Sequence, residues 1–276
     1  VLFRSEEAKT SKPIFRESLT LPSIESLPEG HFAKTYVQKR QIPESFHSQL
    51  YYAEDFADFV KSLNIEKDLM AGDKRLVIPF YDADKNIIAL QGRALGESKL
   101  RYITVKLKDD NKKIFGLDRL DLDEDKRVYV VEGPIDSMFL ENGVATADSH
   151  LEGITQTFDK SQVVLVFDNE PRNKEICKQI DKAIENHFSV VIWPGMLENY
   201  KDVNDMILNG FSPDEIQDII SKNTFVNLRA KAEFINWKKV YMNVELISYS
   251  QGKDEKNLLE QIAYAARVSK DRKSTR

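Results

Sequence analysis

The sequence predicts an α/β fold: a mostly parallel sheet with helices on both faces, preceded by a smaller basic α+β unit and followed by a small helical appendage. Three observations carry that prediction. From residue 127 onward, short β-branched runs (VYVV, VVLVF, SVVIW) alternate with stretches of helical periodicity, the pattern of consecutive parallel β/α units. Before them, residues 75–95 read as strand, DADKN turn and strand, and residues 101–107 alternate like a further strand. After them, residues 211–239 read as two helices.

Taken in order, residues 6–40 are polar and punctuated by proline, so 1–44 are expected as a linker or loosely packed lead. The opening VLFRS resembles a sequencing adapter translated in frame, and no initiator Met is present, so 1–5 are expected to be foreign and the chain a fragment. Residues 54–64 set Phe56, Phe59, Val60 and Leu63 at helical spacing. The 75–107 strands and the Lys-rich loop after them belong to a basic unit over 45–126. The β/α region spans 127–210. In it VYVVEG is a strand, and IDSMFLENG a short helix closed by Gly143. VATADS and residues 162–170 are strands, and 172–187 an amphipathic helix with Ile176, Ile180, Ala183 and Ile184 inward. SVVIWP is the next strand, and KDVNDMILNG opens a helix with Asp202 as N-cap and Asp205 in its first turn. The appendage covers 211–240 and a tail 241–276.

Composition sets limits. The chain has 276 residues, 41% hydrophobic and 31% charged, with no apolar run near the roughly 18 residues of a membrane span. No secretory pattern is present. The single cysteine, Cys177, excludes an internal disulfide and an all-cysteine metal cage, and a cytoplasmic location is expected. His31, His47, His150 and His187 are scattered outside any metal-ligand spacing and read as structural or surface residues. Charge is unevenly spread: residues 127–210 hold 7 Lys+Arg against 14 Asp+Glu, whereas 85–119 hold 9 against 4. An acidic region beside a basic strip suits a metal site next to a polyanion track, and ordinary surface variation is the alternative.

The acids fall in a pattern. Glu132 follows VYVV, Asp168 and Glu170 follow VVLVF, and Asp202 and Asp205 follow SVVIWP. Ligands of open α/β sheets bind beyond the carboxyl ends of the strands. If these strands are neighbours, about 4.8 Å apart, their acids meet on one rim. Repulsion and desolvation there raise carboxyl pKa values or draw in a cation. Oxygen ligands without His or Cys favour Mg²⁺ or Mn²⁺. Gly133 permits close backbone approach, and Pro134 suits a helix start that favours phosphate. The alternative is that these acids are caps and turn residues.

EGPID (132–136), FDNE (167–170) and KDVND (201–205), in that order after strands, resemble the TOPRIM domain, a module shared by bacterial-type primases, type IA and II topoisomerases and some nucleases. Residues 75–95, RYITVK and KKIFGLDRL resemble the basic segment that precedes TOPRIM in primases. The likeness is closest to the primases of T-even-like tailed phages, over roughly residues 45–240. It implies a TOPRIM fold and template-directed synthesis of short RNA primers on single-stranded DNA from ribonucleoside triphosphates. It also implies Mg²⁺ or Mn²⁺ as cofactor, a replicative helicase as partner and no membrane.

The same resemblance gives residues their roles. Glu132, Asp168 and Glu170 would be catalytic, and these three with Asp136 and Asp202 would face the metals. Arg75, Arg93, Arg101, Lys113 and Lys201 would face template or nucleotide phosphates, with solvated strand-edge positions as the alternative for Arg93 and Arg101. Two departures stand out. The second acid of the Asp-x-Asp pair is Glu170, and Pro171-Arg172-Asn173 replaces the usual glycine. The family's zinc module needs Cys/His pairs absent here, so zinc is expected only in an N-terminal module lost from this chain. Residues 242–270 resemble the start of a flavin-dependent thymidylate synthase, a neighbouring gene read through, or else a family-specific C-terminal helix. The rival functions are a TOPRIM nuclease or topoisomerase, and a non-catalytic nucleic-acid-binding scaffold. The chain is too short for the domain that carries a topoisomerase tyrosine and has no G-x-x-x-x-G-K-[ST] loop.

Overall fold

The computed structural model describes residues 14–15, 19–107, 113–121, 123, 126–146 and 154–250, with backbone alone at 14–15 and 240–250. Two sheets organise it. The first is antiparallel, with β1 (Ile14–Phe15), β4 (Asn86–Ala94), β3 (Arg75–Tyr81) and β2 (Tyr51–Ala53) in that order, and β5 (Tyr102–Lys106) also paired to β4. The second has the order β11-β10-β9-β7-β8-β6. Its centre is parallel: β10 (Ser189–Val191), β9 (Val163–Leu165), β7 (Val128–Val131) and β8 (Gly143–Thr146). Its edges, β6 (Ile114–Phe115) and β11 (Thr224–Phe225), are antiparallel.

The β3 strand is buried along its whole length, which explains its continuous apolar run. Leu76, Ile78 and Phe80 point into a core shared with the second sheet, where Phe80 meets Phe115 edge-on with ring centroids 5.5 Å apart. Val77 and Tyr81 point the other way, onto α2 (Phe56–Ser62) and β5. The helix α2 starts where Asp55 accepts the N–H groups of Ala57 and Asp58, an N-cap that satisfies two orphan donors. In the second sheet, α4 (Lys174–Glu185) is capped by Asn173 and buries Ile176, Ile180, Ala183 and Ile184, the face its period predicts. The helix α5 (Val203–Leu208) begins at Asp202, whose Oδ1 accepts the Asp205 N–H at 2.7 Å. Next comes α6 (Pro213–Lys222), opened by a Ser212–Glu215 capping box, and then α7 (Asn227–Ser250).

Three expectations need correction. Residues 19–44 are packed, not a linker: they form α1 (Phe32–Lys39) and bury Ile24, Ala33, Val37 and Ile42 in the shared core. The helix after Gly133 is one turn, α3 (Pro134–Ser137), and Gly143 does not close it. Asn142 takes the left-handed conformation (φ 52°), and Gly143 opens β8 because a Cβ there would lie 2.5 Å from the Ser137 carbonyl oxygen. The appendage is not purely helical, since β11 pairs with β10 at the sheet edge. Among the described residues no helix is long and apolar enough to cross a membrane. Residues 251–276, and with them most of the 242–270 segment, lie outside the described residues.

Candidate active site

Because β7, β9 and β10 are adjacent, the acids that follow them come together. Glu132 directly follows β7, Asp168 follows β9, and the loop after β10 delivers Lys201 and Asp202. They line one side of an open cleft of about 520 Å³, with Asp136 from α3. Gln91, Arg93, Arg101 and Tyr102, from the first sheet and its loops, line it too. Glu170 turns into a neighbouring depression of about 370 Å³, shared with Arg172 and Glu198.

The rim is electrostatically loaded. Glu132 is partly buried, and its Oε1 has no hydrogen-bond partner. Burial pushes its pKa up, and Glu170 adds to the rise against the pull of Lys201. Asp168 is pushed up to about 7, first by burial and then by Glu132 and Asp202, with Lys201 opposing. Asp136 is also pushed up to about 7, by burial first and then by Asp202, although its Oδ1 accepts the Asn204 N–H at 2.9 Å. Lys201 Nζ stands 3.6 Å from Asp168 and 3.7 Å from Glu170. Burial lowers the Lys201 pKa, yet Asp168, Glu170 and Asp202 together hold it above its usual value. Asp205 has a structural task, accepting the Lys201 N–H at 2.9 Å. Among the described residues no three Asp, Glu, His or Cys side chains form a ready-made metal cage.

No protein-family profile matches the chain. It is 34% identical over 229 residues to the DNA primase of Enterobacteria phage T4, which covers 80% of this chain and 65% of the T4 protein. The chain therefore spans just under two thirds of that relative. The RNA polymerase domain of Mycobacterium tuberculosis primase DnaG superimposes with a TM-score of 0.57 at 16% identity, over 88% of this chain and 94% of that one. A DnaG primase catalytic domain solved with single-stranded DNA gives 0.54 at 16% identity, over 76% and 75%. The chain has the fold of a TOPRIM-type primase core. The resemblance read in the sequence thus agrees with the overall identity to the phage relative and with the fold of the bacterial cores. These relatives lend no support to a thymidylate-synthase likeness in 242–270.

Within this fold the expected basic residues separate. Arg75 is 0% exposed, bonded to the Asp73 carboxylate at 2.5 Å and to the carbonyls of Gly92 and Leu100 at 2.7 and 2.8 Å. Its role is structural, and the phosphate-facing expectation fails for it. Gly92 exists for it: a Cβ there would lie 2.8 Å from the Arg75 side chain. Arg93 is buried but lines the cleft, its guanidinium over Tyr36 and Tyr102 at 5.4 and 4.8 Å. Arg101 lines the cleft and is exposed. Lys113 is not among the cleft residues and stands close enough to Lys67 to lower that lysine's pKa, after burial. Lys201 is on the rim but faces acids.

Sequence reasoning missed Arg40 and Asn204. Arg40 Nη1 donates to Asn204 Oδ1 at 2.9 Å, and Asn204 Nδ2 donates back to the Arg40 carbonyl at 2.8 Å. Both line the cleft. The helical period of FAKTYVQKR, ending in two basic residues, was the available signal.

Proposed function

We propose that this chain is the catalytic part of a DNA primase, which makes short RNA primers on a single-stranded DNA template from ribonucleoside triphosphates. The observation that carries the reading is the acid rim of Glu132, Asp136, Asp168 and Asp202 in one cleft with Arg93 and Arg101. The phage T4 relative and the DnaG core solved with single-stranded DNA support primase chemistry and that template.

The donor set fits a divalent cation: Glu132 Oε1 is unpartnered, and Asp136 and Asp168 have pKa values displaced upward by burial first and then by neighbouring carboxylates, Asp202 beside both and Glu132 beside Asp168. Glu132, Asp168 and Glu170 would hold Mg²⁺ or Mn²⁺, with Asp136 and Asp202 beside them. An ion held there would supply Lewis-acid chemistry, lowering the pKa of a 3′-hydroxyl and offsetting charge on pyrophosphate. Arg93 and Arg101 orient the triphosphate or template phosphates, and that contact makes binding fall with salt. Lys201 holds Asp168 and Glu170 in place before substrate arrives. The division into a basic unit (45–126), a β/α unit (127–210) and an appendage (211–240) belongs to the same proposal. So do a helicase partner and a host-cytoplasm location.

The test is Glu132→Gln, with primer synthesis and single-stranded DNA binding measured on the same preparation. Loss of synthesis with binding intact is the expected outcome. Retained synthesis would count against a catalytic role, and cleavage of DNA by the wild type would favour the nuclease alternative.

A further inference from the structure

Between the two acids of the turn after β9, Asn169 faces inward and is 4% exposed. Its backbone N–H donates to the Lys201 carbonyl at 2.6 Å. Its Nδ2 donates to the carbonyls of Leu197 and Tyr200 at 2.8 and 3.0 Å, and its Oδ1 accepts the indole N–H of Trp237 at 2.9 Å. One buried amide thus joins three segments: the turn bearing Asp168 and Glu170, the loop delivering Lys201 and Asp202, and α7. The amide fits one way round, because reversal would set its N–H groups against the indole N–H and its oxygen against two carbonyls. A second indole, that of Trp193, donates to the Phe167 carbonyl at 2.8 Å and fixes the residue before Asp168. Satisfied buried networks of this kind are rigid. Groups that orient the ligands of an ion tune its affinity without touching it.

We infer that Asn169, locked by Trp237, is a positioning residue: it sets Asp168 and Glu170 against Lys201 and Asp202, and so sets the rim's affinity for a divalent cation. The inference rests on the cation-holding reading above. It gives α7 a part in the site although none of its described side chains lines the cleft. A purely structural network would hold α7 on the sheet and leave ion affinity alone.

Mn²⁺ titration of the full chain, followed by electron paramagnetic resonance of the free ion, separates the two. The variants are Trp237→Phe, which removes the N–H and keeps an aromatic ring, Asn169→Ala, and the double variant. Val60→Ala, in the second hydrophobic cluster, serves as a destabilised control, and thermal melts accompany each. Each single variant is expected to weaken Mn²⁺ binding on the order of 10-fold. The double is expected to bind no more weakly than Asn169→Ala, since the two residues act as one unit, and Val60→Ala to bind as wild type. Wild-type affinity in Trp237→Phe and Asn169→Ala alongside lowered melting would overturn the inference, as would losses that multiply in the double. If Trp237→Phe does not fold, Asn169→Ala against Val60→Ala decides. A wild type that takes up no Mn²⁺ removes the cation reading and this inference together, whereas uptake unchanged in the variants removes this inference alone.

Discussion

Asp168 shows what a single carboxyl reports about the rim. Its folded pKa of about 7 lies above its ordinary 3.8, so the folded protein binds that proton more tightly than the unfolded chain does. The stability it contributes is fully present below the unfolded value and is lost as pH rises through about 7. Asp136 behaves in the same direction. Asp168→Asn is therefore expected to melt above wild type at pH 8, by about 2–4 °C per kcal/mol relieved, with the gap closing toward pH 4. Equal melting at both pH values would contradict the pKa assignment. The two arginines Arg75 and Arg101 look alike in sequence and differ in fate. Arg75→Ala leaves Asp73 without its buried partner. It is expected to cost about 3–5 kcal/mol of stability, read by denaturant unfolding, while the folded fraction binds single-stranded DNA as before. Arg101→Ala is expected to keep wild-type melting, weaken DNA binding and lower the slope of log affinity against log salt by about 1.

Elements were legible in the sequence where one period dominates. The α4 face of Ile176, Ile180, Ala183 and Ile184 was readable because it is strictly amphipathic. The acid rim was readable because its acids follow apolar strands, and it forms because β7, β9 and β10 pair in parallel as spatial neighbours although β8 lies between β7 and β9 in the chain. The errors came where tertiary contacts decide. Nothing local in TF distinguishes β11 from a helical link; its pairing with β10 makes it a strand. Arg75 reads as a cation for phosphate until Gly92, eliminated of its side chain and paired across the hairpin two residues from Arg75's partner, is seen to clear space for it. Gly143 reads as a helix stop, but it is there because β8 runs against α3. Gly143→Ala is expected to destabilise by about 1–3 kcal/mol through overpacking, measured by unfolding. Because α3 carries Asp136, primer synthesis at permissive temperature should fall with it.

At the scale of the molecule, the cleft exists because two sheets share one hydrophobic core and the chain crosses between them. The segment 19–44 supplies Ile24, Ala33, Val37 and Ile42 to that core and brings Arg40 to Asn204. Low periodicity and four prolines between residues 13 and 43 hid this in the sequence, since short irregular segments pack without repeating. A chain begun at residue 45 is expected to be insoluble or to melt well below the full chain, as judged by circular dichroism. Lys201 has a consequence of a different kind. An ammonium lodged between Asp168 and Glu170 is an internal tenant that offsets the charge of the acids within the chain itself. Under the proposed function, folding and cation loading would then be successive events, and an incoming ion would have to displace the lysine.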